Sequence, residues 1–245
     1  MTGNGEIKKI LSISSALIEN DHFVYKAGTH GSAYINKKKF SFLGARIITK
    51  MIKDVAYNAI KNGFNPERNM IGIIGPAMGT IAFSLTLANE LESMINIYNN
   101  NKDVIFFPAR TELIENSVGK KIHIIPEKLK EEYSRRPFII FEDITNNGTT
   151  IREVKKLFEE KIGARIIAAM CFIDRGWQNE RTLGVKEYYP LMRIDMTQYD
   201  VRKSSCPLCK KGIPINIILG KGRYWVNLFG QPPYLEEKDF SSFWK

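Results

Sequence analysis

Phe138-Ile139-Ile140-Phe141-Glu142-Asp143-Ile144-Thr145-Asn146-Asn147-Gly148-Thr149-Thr150-Ile151 carries the plainest structural signal in the chain. Its four leading apolar residues predict a strand buried on both faces, as in a parallel sheet. Two acidic residues follow at the strand's carboxyl end, then a short loop of Thr, Asn and Gly, then helical spacing through Lys161. In open α/β sheets ligands bind at the carboxyl ends of strands. The start of a helix adds unpaired N–H donors and about half a positive charge, which suits a phosphate. Gly148 permits close backbone approach, and the threonine hydroxyls can donate to phosphate oxygens. Glu142 and Asp143 repel a phosphate but are suited to accept the two hydroxyls of a ribose, or to touch a metal bound to it. The plain alternative is a helix cap with a solvated acidic pair. The loop has neither the Gly-Lys-Ser/Thr of a P-loop nor a Gly-x-Gly-x-x-Gly fingerprint, so a sugar phosphate is the better reading.

On the N-terminal side, residues 7–20 show amphipathic helical spacing, and Phe23 to Phe40 reads as extended or hairpin structure broken by Gly28 and Gly31. Residues 43–62 predict a helix capped by Gly63, 70–75 a short buried strand, 79–95 a helix and 103–107 a strand. Beyond the key stretch, Gly163 closes a helix and Ala164 to Asp174 is a further strand. Apolar strands alternating with helices predict an α/β fold, a parallel sheet flanked by helices. From Trp177 onward the pattern weakens among prolines and aromatics. The expected organisation is a main domain over 1–205, with an N-terminal segment of about 1–40 as a hood, and a C-terminal appendage over 206–245 packed on that domain.

The 245 residues are ordinary globular composition, 44% hydrophobic and 25% charged, with no internal repeat. No apolar run reaches the roughly 18–20 residues of a membrane span, and the N-terminal residues lack the order of a secretory signal. Three cysteines make no disulfide framework, which points to a reducing cytoplasm. The net charge of +10 attracts polyanions, but the basic residues are scattered, so small anionic substrates are favoured over nucleic acid. Cys206-Pro207-Leu208-Cys209 supplies two of the four ligands a structural zinc needs. His22, His30 and His123 are spread along the chain, so the expectation is a Cys-Pro turn, with Zn²⁺ at Cys206 and Cys209 shared across a dimer as the alternative. Cys171 is expected in the core.

The acidic pair followed by Thr145-Asn-Asn-Gly148-Thr149 resembles the phosphoribosyl-pyrophosphate signature of the type I phosphoribosyltransferases. The resemblance extends further and is nearest to the orotate-using members. His22-Phe23 with Ala27-Gly28-Thr29-His30-Gly31-Ser32-Ala33-Tyr34 and Lys37 is similar to their N-terminal segment, and Ile74-Gly75-Pro76-Ala77-Met78-Gly79 to their pyrophosphate loop. Ile173-Asp174-Arg175 is similar to their strand end, and Cys206 to Pro214 to the tail of one branch.

The resemblance implies transfer of a phosphoribosyl group from phosphoribosyl pyrophosphate to orotate or another nucleobase, with Mg²⁺ held mainly by substrate near Asp143. It implies that Thr145, Asn146, Asn147, Gly148, Thr149 and Thr150 hold the 5-phosphate, and that Pro76, Ala77, Met78 and Gly79 offer amides to the pyrophosphate. Glu142 and Asp143 would hold the ribose hydroxyls, while Lys26, Arg110, Lys120 and Lys121 would supply cations. Arg175 would meet the carboxylate of orotate, Asn146 would contact the base and Tyr34 would cover it. Read from the residues alone, Arg175 is equally a surface residue at a strand end, and Tyr34 equally a core tyrosine. Relatives carry a mobile basic loop that works across a homodimer; here Thr111, Ile114 and Asn116 stand where the commoner form has Lys, Lys and His. A different nucleobase, or a nucleotide-binding regulator with weak catalysis, are the competing readings.

Overall fold

The computed structural model describes residues 4–40, 43–66, 70–76, 78–98, 104–117, 119–202, 206–234 and 239–244. The chain opens with Asn4–Ile13 (α1), four two-residue strands at Leu17–Ile18 (β1), Phe23–Val24 (β2), His30–Gly31 (β3) and Tyr34–Ile35 (β4), and the short helix Lys37–Phe40 (α2). There follow Ala45–Lys61 (α3), Met70–Gly75 (β5), Met78–Tyr98 (α4), Ile105–Arg110 (β6), Glu112–Glu115 (β7), Lys121–Ile124 (β8) and Lys130–Tyr133 (α5). Next come Pro137–Thr145 (β9), Thr149–Ile162 (α6), Arg165–Asp174 (β10), Glu180–Leu183 (α7) and Tyr188–Arg193 (β11). Gln198–Tyr199 (β12), Pro207–Lys210 (α8) and Gly222–Phe229 (α9) complete the labelled elements.

The chain divides into two compact units, one of residues 45–194 and the other of 2–44 with 195–245. This division differs from the 205/206 boundary expected from sequence, because the N-terminal and C-terminal segments share one unit.

In the first unit β11, β10, β9, β5 and β6 form, in that order, a five-stranded sheet whose neighbours are all parallel. Its middle strands are apolar without a break because both faces are covered: Ile71, Ile73, Ile74 and Phe138 to Phe141 are all fully buried. On one face α6 presents Ile151, Val154, Phe158 and Ile162 to Phe138, Ile140 and Ile166. On the other, Phe83 of α4 meets Phe172, which meets Phe141 edge-on. The chain passes from β5 outward to β6, then returns across β5 to β9. Right-handed crossovers running in opposite directions put their helices on opposite faces, and the strand ends diverge where the direction reverses. That reversal lies between β5 and β9.

Four differences from the sequence reading have local causes. Helix α1 ends at Ile13, well before residue 20, because Ser15 takes a left-handed φ of 57° and the amides of Ser15 and Ala16 return to the carbonyls of Ser12 and Leu11. Strand β9 continues through Glu142 and Asp143 to Thr145, because β10 pairs with it as far as Thr145↔Asp174. Strand β11 was not foreseen; Pro190 obscured it, yet proline is tolerated there because, among the described residues, β11 is an edge strand paired with β10 alone. The expected basic loop holds an antiparallel hairpin, β7–β8, with Glu115 opposite Lys121. Cys171 is in the core as expected, its thiol 3.1 Å from the Tyr188 hydroxyl, and burial pushes its pKa up to about 12. Among the described residues no helix is long and apolar enough to cross a membrane.

Phe138 packs edge-on against Phe107, Tyr133 and Phe158, and its ring fills the space beside Gly72. Phe138→Ala is expected to cost about 3–5 kcal/mol of stability, read as a lowered midpoint in urea unfolding. Native Cys171 should also resist alkylation that proceeds readily in denaturant, since a buried protonated thiol is a poor nucleophile.

Candidate active site at the β5–β9 switch point

Asn146 to Gly148 connect β9 to α6 at the switch point. Gly148 has φ 71° and stands immediately before the helix; a Cβ there would lie 2.3 Å from Leu183 Cδ2. Left-handed backbone and lack of space both demand glycine. The Arg152 amide donates to the Gly148 carbonyl, starting the helix, while Thr149 directs its amide and hydroxyl to Asn147 Oδ1 at 3.3 and 2.9 Å. A phosphate here would therefore exchange with the Asn147 side chain for the Thr149 donors. Thr145 is buried, Asn146 and Thr150 are half-buried, and Asn147 and Thr149 are exposed.

Glu142 and Asp143 are both half-buried in the last turn of the strand. Side chains alternate along a strand, so Glu142 follows Phe138 and Ile140 to the α6 face and Asp143 follows Phe141 to the α4 face. Asp143 also accepts the amide of Ile144 at 2.7 Å. The pair therefore brackets the strand end.

The loop after β10 is fastened to the loop after β9. The amide of Arg175 donates to the Thr145 carbonyl at 2.9 Å. A Cβ on Gly176 would lie 1.7 Å from the Asn146 carbonyl oxygen, so the two loops touch through bare backbone. Asp174, fully buried, holds this arrangement: its carboxylate accepts the amides of Gly176 at 3.0 Å and Gln178 at 2.9 Å and the Arg193 Nε at 3.2 Å. A buried carboxylate so satisfied is a rigid post. Arg175 itself is half-buried at this strand end.

On the β5 side, Pro76 is buried and Met78 opens α4. Ala77 lies outside the described residues, so its expected role, and the side chains of Met78 and Gly79, have no structural account. The Thr111 hydroxyl donates to the Pro76 carbonyl at 2.9 Å and meets His123 Nδ1 at 2.8 Å. With its one proton given to Pro76, Thr111 must accept from His123, which fixes Nδ1–H on the imidazole. Burial lowers the His123 pKa and so favours this neutral ring. Arg110, at the end of β6, is 3.6 Å from Glu112, and Lys120 and Lys121 are exposed in and beside the hairpin turn.

Sequence reasoning overlooked the positioning parts played by Asp174, Thr111 and His123. Only the Ile-Asp-Arg run hinted at the first. Lys26, exposed, and Tyr34, half-buried and tilted against Phe23 at 5.2 Å, belong to the second unit. There Cys206 and Pro207 open α8 as a turn, and the histidines that sequence left spread along the chain are brought together: His22 and His30 converge on Cys206 and Cys209, and the ligand atoms of all four lie within 4.8 Å of one another.

The five-stranded parallel sheet flanked by helices has the fold of solved phosphoribosyltransferase structures. An orotate phosphoribosyltransferase structure from Aeropyrum pernix matches with a TM-score of 0.51 over 77% of this chain and 93% of its own, at 16% identity. A Leishmania donovani UMP synthase structure matches with a TM-score of 0.51 over 78% of this chain and 36% of its own, at 13% identity. Those matches bear on the fold alone. The sequence itself is similar to the orotate phosphoribosyltransferases: that of Thermotoga petrophila is 28% identical over 217 residues, covering 85% of this chain and 94% of the relative, and that of Thermotoga maritima is 27% identical over the same length. No family model matches the chain.

Gly148→Ala is expected to cost at least about 1–2 kcal/mol from the left-handed backbone alone and to weaken binding of ribose 5-phosphate, measured by urea unfolding and calorimetric titration. Asp174→Asn, which keeps the shape but removes the charge, should raise the KM for a phosphoribosyl donor more than it lowers the melting temperature.

Proposed function

We propose that the chain transfers the phosphoribosyl group of phosphoribosyl pyrophosphate to orotate, giving orotidine monophosphate and pyrophosphate in pyrimidine biosynthesis. The observation that carries this reading is the β9 end itself: two carboxylates flanking a strand that runs through a left-handed glycine into a helix mouth, in a chain similar to orotate-using enzymes over 85% of its length. In this reading the α6 mouth binds the 5-phosphate through Thr145 to Thr150, and Glu142 and Asp143 receive the ribose hydroxyls. The backbone from Pro76 to Gly79 approaches the pyrophosphate.

As pyrophosphate departs, positive charge grows on the sugar and negative charge on the leaving oxygens. The carboxylates stabilise the first, and amides with Arg110, Lys120 and Lys121 the second. Arg175, tied by its amide to Thr145, offers a guanidinium to the orotate carboxylate, a pairing that can be bidentate. Mg²⁺ prefers hard oxygen ligands, and the half-buried carboxylates of Glu142 and Asp143 are of that kind. They would lie nearest to an ion carried mainly by the substrate, which when bound neutralises the leaving group. A cytoplasmic homodimer is the assembly this reading carries.

One observation favours a second reading, a nucleotide-binding homologue with weak catalysis. The β7 strand is exposed along its whole length, its sequence is Glu-Leu-Ile-Glu, and Arg110 faces Glu112. That is a sparse supply of cations for a departing pyrophosphate.

Orotate absorbance followed with phosphoribosyl pyrophosphate and Mg²⁺ separates the two. Depletion of orotate with stoichiometric pyrophosphate release is the expected result, whereas tight binding without release would support the regulator. Asp143→Asn should lower kcat by about 10²–10⁴, and Arg175→Ala should damage turnover of orotate while sparing uncarboxylated bases.

A further inference from the structure

The second unit has little regular structure to hold it. Among the described residues its five strands are each two residues long, and its buried cluster centres on Trp225, with Phe229, Phe240 and Phe243 at ring distances of 4.7, 4.9 and 5.1 Å. Against this cluster four side chains converge from opposite ends of the chain. His22 Nε2 is 3.0 Å from His30 Nδ1, and Cys209 Sγ is 3.3 Å from His30 Nδ1 and 3.7 Å from His22 Nε2. Cys206 Sγ is 3.8 Å from His22 Nε2, and the whole set is buried.

These separations, 3.0–3.8 Å for the four pairs given, are near those around one tetrahedral ion. With metal–sulfur bonds of about 2.3 Å and metal–nitrogen bonds of about 2.0–2.1 Å, ligand atoms lie roughly 3.3–3.8 Å apart. The imidazoles are prepared for the same purpose. His22 Nδ1 lies 2.7 Å from the Ile213 carbonyl, which can only accept, so Nδ1 carries the proton and the Nε2 lone pair faces the cluster. His30 turns Nδ1 inward, and its ring stands edge-on to Trp225 at 4.5 Å. Charge balances as well: two thiolates neutralise a divalent ion, so the site can be buried in an aromatic shell without a net charge.

We infer that His22, His30, Cys206 and Cys209 form a structural zinc site that clasps the N-terminal hairpin of β2 and β3 to the C-terminal Cys-Pro-Leu-Cys turn. Four protein ligands leave no open position, which makes the ion structural. The sulfur and imidazole set selects zinc over magnesium or calcium, and the compactness of the four ligand atoms fits a single ion. On binding, both thiols lose their protons to solvent and both imidazoles stay neutral. The ion closes a chain segment of 179 residues between His30 and Cys209, a constraint on the unfolded chain that a short Cys-x-x-Cys turn alone does not impose. The site is independent of the phosphoribosyl reading, and its test uses no turnover.

The full chain, purified without a histidine tag, should contain about one zinc per chain by elemental analysis. Native thiol titration should find Cys206 and Cys209 protected, and a chelator should release the zinc and expose two thiols together, with a lower melting temperature. Co²⁺ in place of Zn²⁺ should give the visible absorption of a tetrahedral thiolate complex, retained in Cys171→Ser and lost in Cys206→Ser/Cys209→Ser. Should those cysteine variants fail to fold, the coupled release of zinc and thiols in the unaltered chain still decides the matter. Substoichiometric zinc after dialysis against Zn²⁺, thiol reactivity indifferent to Zn²⁺, or a Cys206–Cys209 disulfide in the isolated protein would each overturn it.

Discussion

The first unit depends on one constraint: β5 and β9 are buried on both faces, so polar chemistry can leave them only at their ends. A fully apolar strand such as Phe138 to Phe141 has no exposed face on which to mount a functional group. The crossover rule then decides which end matters. Because the chain leaves β5 in one direction and returns to β9 in the other, the helices cover opposite faces and the carboxyl ends part between these two strands. The two loops that resemble substrate-binding loops are the loops that flank this gap.

Precision at the gap comes from backbone contact more than from long side chains. Gly148 and Gly176 occupy positions where a methyl group would meet a side chain or a carbonyl. Asp174 satisfies two amides and a guanidinium from a fully buried position, holding the 175–178 segment against Asn146. On the other side of the gap, Thr111 and His123 serve Pro76 in the same way. Buried groups thus set where the exposed residues of both loops stand, which is how a loop acquires the rigidity of a strand end. The acidic pair gains a second meaning from its register, because alternation along β9 sends Glu142 and Asp143 to opposite sides of the strand end.

The second unit solves a different problem. Strands two residues long contribute few ladder hydrogen bonds, so side-chain packing matters more there, notably the Trp225 cluster beside the four converging His and Cys side chains. The zinc ion proposed for those four side chains would add folding free energy of its own.

The local sequence was enough for β5, the apolar start of β9, β10 and the helices α4 and α6, since a buried strand reads as a continuous apolar run and a helix as a 3.6-residue repeat. It was enough, too, for the loop at Gly148, because turn chemistry and a helix start are written in neighbouring residues. It could not reveal β11, whose Pro190 is harmless only at a sheet edge, nor the early end of α1, which a left-handed Ser15 imposes. Nor could it reveal that Asp174 is a buried post, that Thr111 and His123 brace Pro76, or that His22 and His30 meet Cys206 and Cys209. Those facts are pairings between residues remote in sequence, and only the folded chain decides which remote residues become neighbours.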